Sequence, residues 1–176
     1  YRSNEQRQDM IDIFGKGSRE TIQDYVICWY KKSLDYVSDY KNSSVKCAFV
    51  STNSICQCEC VPTFWKDMIN AGVEIQFARR TFIWTNEAKN KAVVHCVIVG
   101  YSFHKINNIK ELYDGGKLTK CDHINPYLVP EEDIWISSRP KRPKDKSKMT
   151  TGSPATDDGQ LFLSPEEAKT MSKEYP

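Results

Sequence analysis

A chain of 176 residues with 39% hydrophobic content and a net charge of +2 has enough apolar material for one core of ordinary size, but not for two full domains. No apolar run approaches the roughly 20 residues of a membrane span and no basic-then-apolar leader opens the chain, so no membrane partner is expected and the cytoplasm is the expected compartment. The seven cysteines are an odd number. Cys28, Cys47, Cys56 and Cys96 sit in apolar stretches and Cys60 at a predicted helix start, which reads as reduced core thiols rather than a disulfide framework.

The first thirty-seven residues carry two helix patterns separated by Gly15 and Gly17. The second, from about Glu20 to Val37, places Ile22, Tyr25, Val26, Trp29 and Tyr30 close to one face, with Leu34 and Val37 continuing it, and predicts a core-packed helix. After the polar turn Lys41 to Ser44, the run Cys47-Ala48-Phe49-Val50 is short and continuously apolar, as strands are at the centre of a parallel sheet. A helix from about Val61 to Ala71, ended by Gly72, leads into an alternating strand from Val73 to Ala78, so the unit reads β-α-β. Phe82 and Trp84 then fall in a predicted loop. Ala92 to Val99 is a second strand, in a hairpin with the one before it.

From Asn107 onward the chain reads as loop-rich. Between 139 and 150 six basic residues stand against the single acid Asp145, a local charge of +5 in a chain of +2. Such a cluster suits phosphate contact, since each neutralised phosphate releases condensed counterion; a solvated Lys/Pro linker is the competing reading. Ser164, Pro165 and Glu167 form a helix start with a capping box. That helix stops at Pro176 before it can bury a face, and Tyr1 stands where a start methionine would, so a piece of a longer polypeptide is expected.

Several strings carry a resemblance to a known family. Asp24-Tyr25-Val26-x-Cys28-Trp29-Tyr30-Lys31-Lys32 is followed by Phe49-Val50-Ser51-Thr52-Asn53-Ser54-Ile55-x-Gln57. Then comes Val73-Glu74-Ile75-x-Phe77-Ala78-x-Arg80-Thr81-Phe82-x-Trp84-x-Asn86-Glu87-Ala88, and later Ile124 to Leu128 and Leu161 to Ser164. In this order and spacing they resemble the stretch after the catalytic motif in the large restriction-modification methyltransferases related to the MmeI type. The resemblance implies an α/β fold, a partial Rossmann-like methyltransferase sheet with flanking helices, followed by a loop-rich appendage. It places the C-terminal half of the catalytic domain in residues 1–106 and the connection into the target recognition domain in 107–176. The glycine-rich S-adenosylmethionine loop and the catalytic Asn-Pro-Pro-aromatic motif are then expected in an N-terminal half upstream of Tyr1. S-adenosylmethionine belongs to the full-length parent only, and this chain alone should not transfer a methyl group. Asn125-Pro126-Tyr127 lacks the second proline and reads as a turn.

The resemblance further implies a double-stranded DNA partner and adenine as the modified base. An enzyme that modifies an exocyclic amino group must extrude the base and hold its ring, and Phe82, with Trp84 two residues on, matches the family's stacking aromatic. The alternative is that both are ordinary strand residues with one of them in the core. Ser51, Thr52, Asn53 and Ser54, at the carboxyl end of a predicted strand, border the expected crevice; the loop also reads as a helix cap with Asn53 or Ser54 supplying the oxygen, and both readings can hold at once. Arg80, Arg139, Lys141, Lys144 and Lys148 are the expected DNA contacts, mostly to phosphate.

Where relatives of this type usually carry Gln-Gly-Glu-Gln, this chain has Gln57-Cys58-Glu59-Cys60. The resulting Cys56-x-Cys58-x-Cys60, with His95, Cys96, Cys121 and His123 as completing ligands, has the wrong spacing for a zinc site. No metal is expected. Two other classes compete with the methyltransferase: a stand-alone nucleic-acid-binding module, and a thiol enzyme using Cys58, for which no histidine base is legible.

Overall fold

Ser3 opens the first helix with a reciprocal cap, its hydroxyl accepting from the Gln6 N–H at 3.1 Å while the Gln6 side chain accepts from the Ser3 N–H at 3.0 Å. That helix, α1, spans Asn4–Phe14. The computed structural model describes residues 2–38, 44–84, 93–138 and 163–174. The chain divides into two units, Tyr1–Ser138 and Arg139–Pro176.

The expected helix from Glu20 starts later. Arg19–Ile22 is a short 3-10 turn and α2 runs over Ile27–Ser38. Gln23 is extended, and the Asp24 carboxylate accepts from the Ser54 hydroxyl, so a tertiary bond holds the break open. The late start turns the buried face: Ile27, Cys28, Tyr30 and Val37 are buried, whereas Ile22 and Trp29 stand 76% and 56% exposed.

Five strands form one sheet in the order β1-β3-β2-β4-β5, with β1 Lys46–Thr52, β2 Glu74–Trp84, β3 Val94–Ser102, β4 Lys110–Asp114 and β5 Lys117–Cys121. β1 is therefore an edge strand of the described sheet, antiparallel to β3, and not the centre of a parallel one. Its burial alternates: Ser51 is 4% exposed and Val50 51%. β1 and β2 run in the same direction through an intervening helix, but β3 returns antiparallel between them, so the expected β-α-β unit is not a pair of adjacent strands. The β2–β3 hairpin is formed. β4 pairs with β2 in parallel, so the sheet does not break at residue 106.

Between β1 and β2 the chain makes a 3-10 turn over Asn53–Cys56, then a π-helical turn over Val61–Trp65 that runs directly into α3, Lys66–Asn70. Gly72, at φ 97, reverses the chain where a side chain would be strained. The core lies between these helices and one sheet face. Its centre is aromatic: Tyr30 stacks on Tyr101 with centroids 5.4 Å apart and meets Trp65 edge-on at 5.6 Å. The Trp65 indole N–H donates to the Ile55 carbonyl at 2.9 Å, which ties α3 to the turn after β1. The opposite sheet face keeps Val50, Phe77 and Tyr113 partly exposed.

In the second unit the described element is α4, Pro165–Glu174. The expected capping box is present, with Glu167 N–H donating to the Ser164 hydroxyl at 3.2 Å and the Glu167 carboxylate accepting from the Ser164 N–H at 2.8 Å. Among the described residues no helix is long and apolar enough to cross a membrane.

Candidate functional site

Thr52, Cys96 and Phe82 lie in one row across β1, β3 and β2, because Thr52 pairs with Cys96 and Cys96 with Phe82. With strands about 4.8 Å apart, the ends of β1 and β2 stand about 10 Å from each other. The row brings Ser51 to Ser54 and Phe82, distant in sequence, to the same edge of the sheet, the edge where open α/β folds place their crevices.

The four polar residues on β1 and after it have different duties. Ser51 is buried and shares a 2.8 Å hydrogen bond with the Tyr30 hydroxyl. Thr52 and Ser54 share one at 2.9 Å, and Ser54 also donates to Asp24. Asn53 opens the 3-10 turn, and Thr52 precedes it with no side-chain cap bond.

A cavity of about 250 Å³ lies beside this edge, lined by Asn53, Gln57, Arg80, Val97, Tyr127 and Leu128 among others. Arg80 forms part of its wall. Its Nε donates to the Leu128 carbonyl at 2.8 Å and its Nη1 to the Asp114 carboxylate at 3.0 Å. The guanidinium thereby fixes Leu128, whose φ of 58 lies in the left-handed region. The loop it fixes is further held by Asn125, which is fully buried: its Oδ1 accepts from the Tyr127 and Val129 N–H groups at 3.0 and 3.3 Å, and its Nδ2 donates to the Glu132 carbonyl at 3.1 Å. Asn125-Pro126-Tyr127 is a turn, as the sequence predicted.

Phe82 and Trp84 are not on a loop. Both belong to β2, where Trp84 pairs with Val94, because Thr81 to Trp84 are β-branched or aromatic and extend the hairpin. Neither is in the core: Phe82 is partly exposed and Trp84 is 46% exposed. Their ring centroids are 6.5 Å apart, tilted at 47°. Between Arg79 and Phe82 the register slips, with Arg79 opposite Ile98 and Phe82 opposite Cys96. The extra residue on β2 is a bulge, which turns Arg79 and Phe82 to the same face. The Arg79 guanidinium lies 4.8 Å from the Phe82 ring centroid. Alternation alone would have put the two on opposite faces, and no sequence signal marks the slip.

All seven cysteines are free. Burial pushes the Cys56 thiol up, and burial with the nearby Asp24 charge pushes Cys60 up to about 12, so both stay protonated at neutral pH. Cys58 is exposed, and its φ of 47 is left-handed. Among the described residues no three His, Cys, Asp or Glu side chains are grouped to hold a metal. Gly15, Gly17 and Gly72 follow helices, Gly100 lies within β3 and Gly115–Gly116 form a hairpin turn. The described residues thus contain no glycine-rich strand-to-helix turn that could cradle S-adenosylmethionine.

Arg139, Lys141, Lys144 and Lys148 lie outside the described residues. The sequence reading missed the β4–β5 hairpin, although Asp114-Gly115-Gly116-Lys117 announces it: both glycines hold positive φ, 54 and 97, as a two-residue hairpin turn requires. It also missed Lys110, fully buried at the start of β4, which no periodicity could reveal.

Three comparisons with known proteins agree with this geometry. The family model described as MmeI, DNA-methyltransferase domain, matches residues 1–114. A curated protein of Bacillus subtilis (strain 168), DNA methyltransferase A, is 36% identical over 174 residues, 99% of this chain and 20% of that protein. A solved structure of the type IIL restriction-modification enzyme MmeI in complex with DNA superposes with a TM-score of 0.80 at 35% identity, covering 98% of this chain and 24% of that one. The chain therefore spans about a fifth to a quarter of the length of these relatives. On the family model and on both relatives, the chain belongs to the MmeI DNA-methyltransferase domain family.

Proposed function

We propose that this chain is part of an S-adenosylmethionine-dependent DNA methyltransferase of a restriction-modification system, acting on the exocyclic amino group of adenine in double-stranded DNA. The observation that carries the reading is the aromatic pair of partly exposed Phe82 and exposed Trp84 at the same end of the sheet as Ser51 to Ser54. Adenine cannot be modified inside the stack, so it must be extruded and held. Phe82 takes the ring face, a contact worth roughly 1–3 kcal/mol, and Trp84 flanks it. Thr52, the last residue of β1, stands in the same row as Phe82.

S-adenosylmethionine supplies the methyl group when bound, and other parts of a longer polypeptide hold it and contribute the catalytic motif. This chain alone then neither binds the donor nor transfers a methyl group. On this reading residues 1–106 are the C-terminal half of the catalytic domain, and 107–176, which open with the last two strands of the same sheet, lead toward target recognition. In that second part Arg139, Lys141, Lys144 and Lys148 neutralise phosphates, which fixes position on the duplex without reading sequence. The cytoplasm, where the DNA is, is the compartment this reading requires.

The test is labelled methyl transfer from S-adenosylmethionine to DNA by the full-length protein, with and without Phe82→Ala. The expected result is adenine methylation and a loss of at least tenfold on substitution, about 1.4 kcal/mol of transition-state stabilisation. A full-length protein that transfers nothing but binds DNA would be a binding module; transfer at full rate without Phe82 would remove the stacking assignment and leave the enzyme.

A further inference from the structure

We infer that Arg79, and not its neighbour Arg80, is the phosphodiester contact on β2, held beside the base-stacking ring by the bulge. The inference rests on the nucleic-acid reading above and deepens it by separating two adjacent arginines.

The two side chains are in opposite situations. Arg80 spends Nε on the Leu128 carbonyl and Nη1 on Asp114, and it helps wall a cavity on the core side of the sheet. A guanidinium so engaged has two of its five N–H donors committed and its charge already paired with a carboxylate. Arg79 is exposed, and among the described residues it has no hydrogen-bond or ion-pair partner. Its one placed interaction is with the Phe82 ring, 4.8 Å from the centroid. A cation–π contact takes up no N–H donor of necessity, and a guanidinium has five, enough for two oxygens of one phosphate.

The bulge makes this arrangement. Three steps along β2, from Arg79 to Phe82, match two along β3, from Ile98 to Cys96. Bulges re-aim side chains in this way, and here the result is a cation ordered against a partly exposed aromatic ring on the open face of the sheet. The guanidinium lies over the Phe82 ring. A charge placed there meets the backbone flanking an extruded nucleotide, and ordering by the ring lowers the entropy lost when the contact forms.

The experiment is duplex binding by the full-length protein over a range of salt concentrations, comparing wild type with Arg79→Gln, Arg79→Lys and Arg80→Gln, each checked by thermal unfolding. If Arg79 neutralises one phosphate, Arg79→Gln lowers the slope of log K against log salt by about 0.9, with an unchanged unfolding midpoint, and Arg79→Lys restores it. Arg80→Gln lowers the midpoint and keeps the slope. The inference is overturned if Arg79→Gln leaves the slope at its wild-type value, or if a folded Arg80→Gln is the variant that lowers it. A wild-type protein whose binding shows no salt dependence would instead take the DNA reading down with the inference.

Discussion

The ammonium of Lys110 lies 3.1 Å from the Glu74 carboxylate, with the lysine side chain 1% exposed and the glutamate 12%. The same nitrogen also reaches Gln76 Oε1 at 3.0 Å, the Ile106 carbonyl at 2.7 Å and Asn108 Oδ1 at 2.9 Å. This network joins the first residues of β2 and β4, at the opposite end of the sheet from the candidate site. Removing one partner of a buried pair leaves the other charge uncompensated, which costs about 3–5 kcal/mol. Lys110→Met should lower the thermal midpoint by roughly 10 °C on the 2–4 °C per kcal/mol expected for a domain of this size. Calorimetry of Lys110→Met against Lys110→Met with Glu74→Leu checks the cause: the double variant should recover much of the loss.

Glu74 also sets a pH dependence. Burial pushes its carboxyl up, but the Ile106 N–H, the Gln76 amide and Lys110 outweigh it and hold the group below its ordinary value. A carboxylate depressed in the folded state adds stability above its unfolded pKa, about 4.3, and loses it as the pH falls through the folded value. Thermal midpoints should therefore drop more steeply below about pH 4.3 in wild type than in Glu74→Gln, and equal slopes in the two proteins would refute the assignment.

Asn125 should matter to stability. It is fully buried, and its side chain satisfies two backbone N–H groups and one carbonyl. Asn125→Ala leaves these without partners, at about 1–3 kcal/mol for each group left dry. The unfolding free energy of the variant should fall by at least about 2 kcal/mol in a denaturant titration, with the slope unchanged.

Cys58 occupies a backbone position suited to glycine. An L side chain at positive φ costs about 1–2 kcal/mol, partly offset by the greater freedom glycine has when unfolded. Cys58→Gly should stabilise the protein by about 0.5–1 kcal/mol, and Cys58→Val should destabilise it. Brief alkylation at neutral pH, read by peptide mass spectrometry, should label Cys58 well before Cys28, Cys56, Cys60 and Cys96, which are buried.

The residues themselves announced the local elements. The capping box at Ser164 and the turn at Asn125 are short-range patterns, and the hydrogen bonds that satisfy them lie within a few residues. The hairpin at Gly115–Gly116 was equally local and only needed to be read. The ordered strings from Asp24 to Ala88 pointed to the family as well, since their spacing reflects a sheet edge that must be built from separated segments.

The tertiary structure alone decided where α2 begins, which strands are neighbours, and which arginine is free. The start of α2 depends on a bond from Asp24 to Ser54, thirty residues away. The place of β3 between β1 and β2 depends on pairing that no single strand encodes, because an apolar run fits a sheet centre or an edge equally well. The separation of Arg79 from Arg80 depends on one slipped register position. Side-chain direction in a strand has a period of two, so a single extra residue reverses every reading beyond it, and that residue is chosen by the partner strand rather than by the sequence around it.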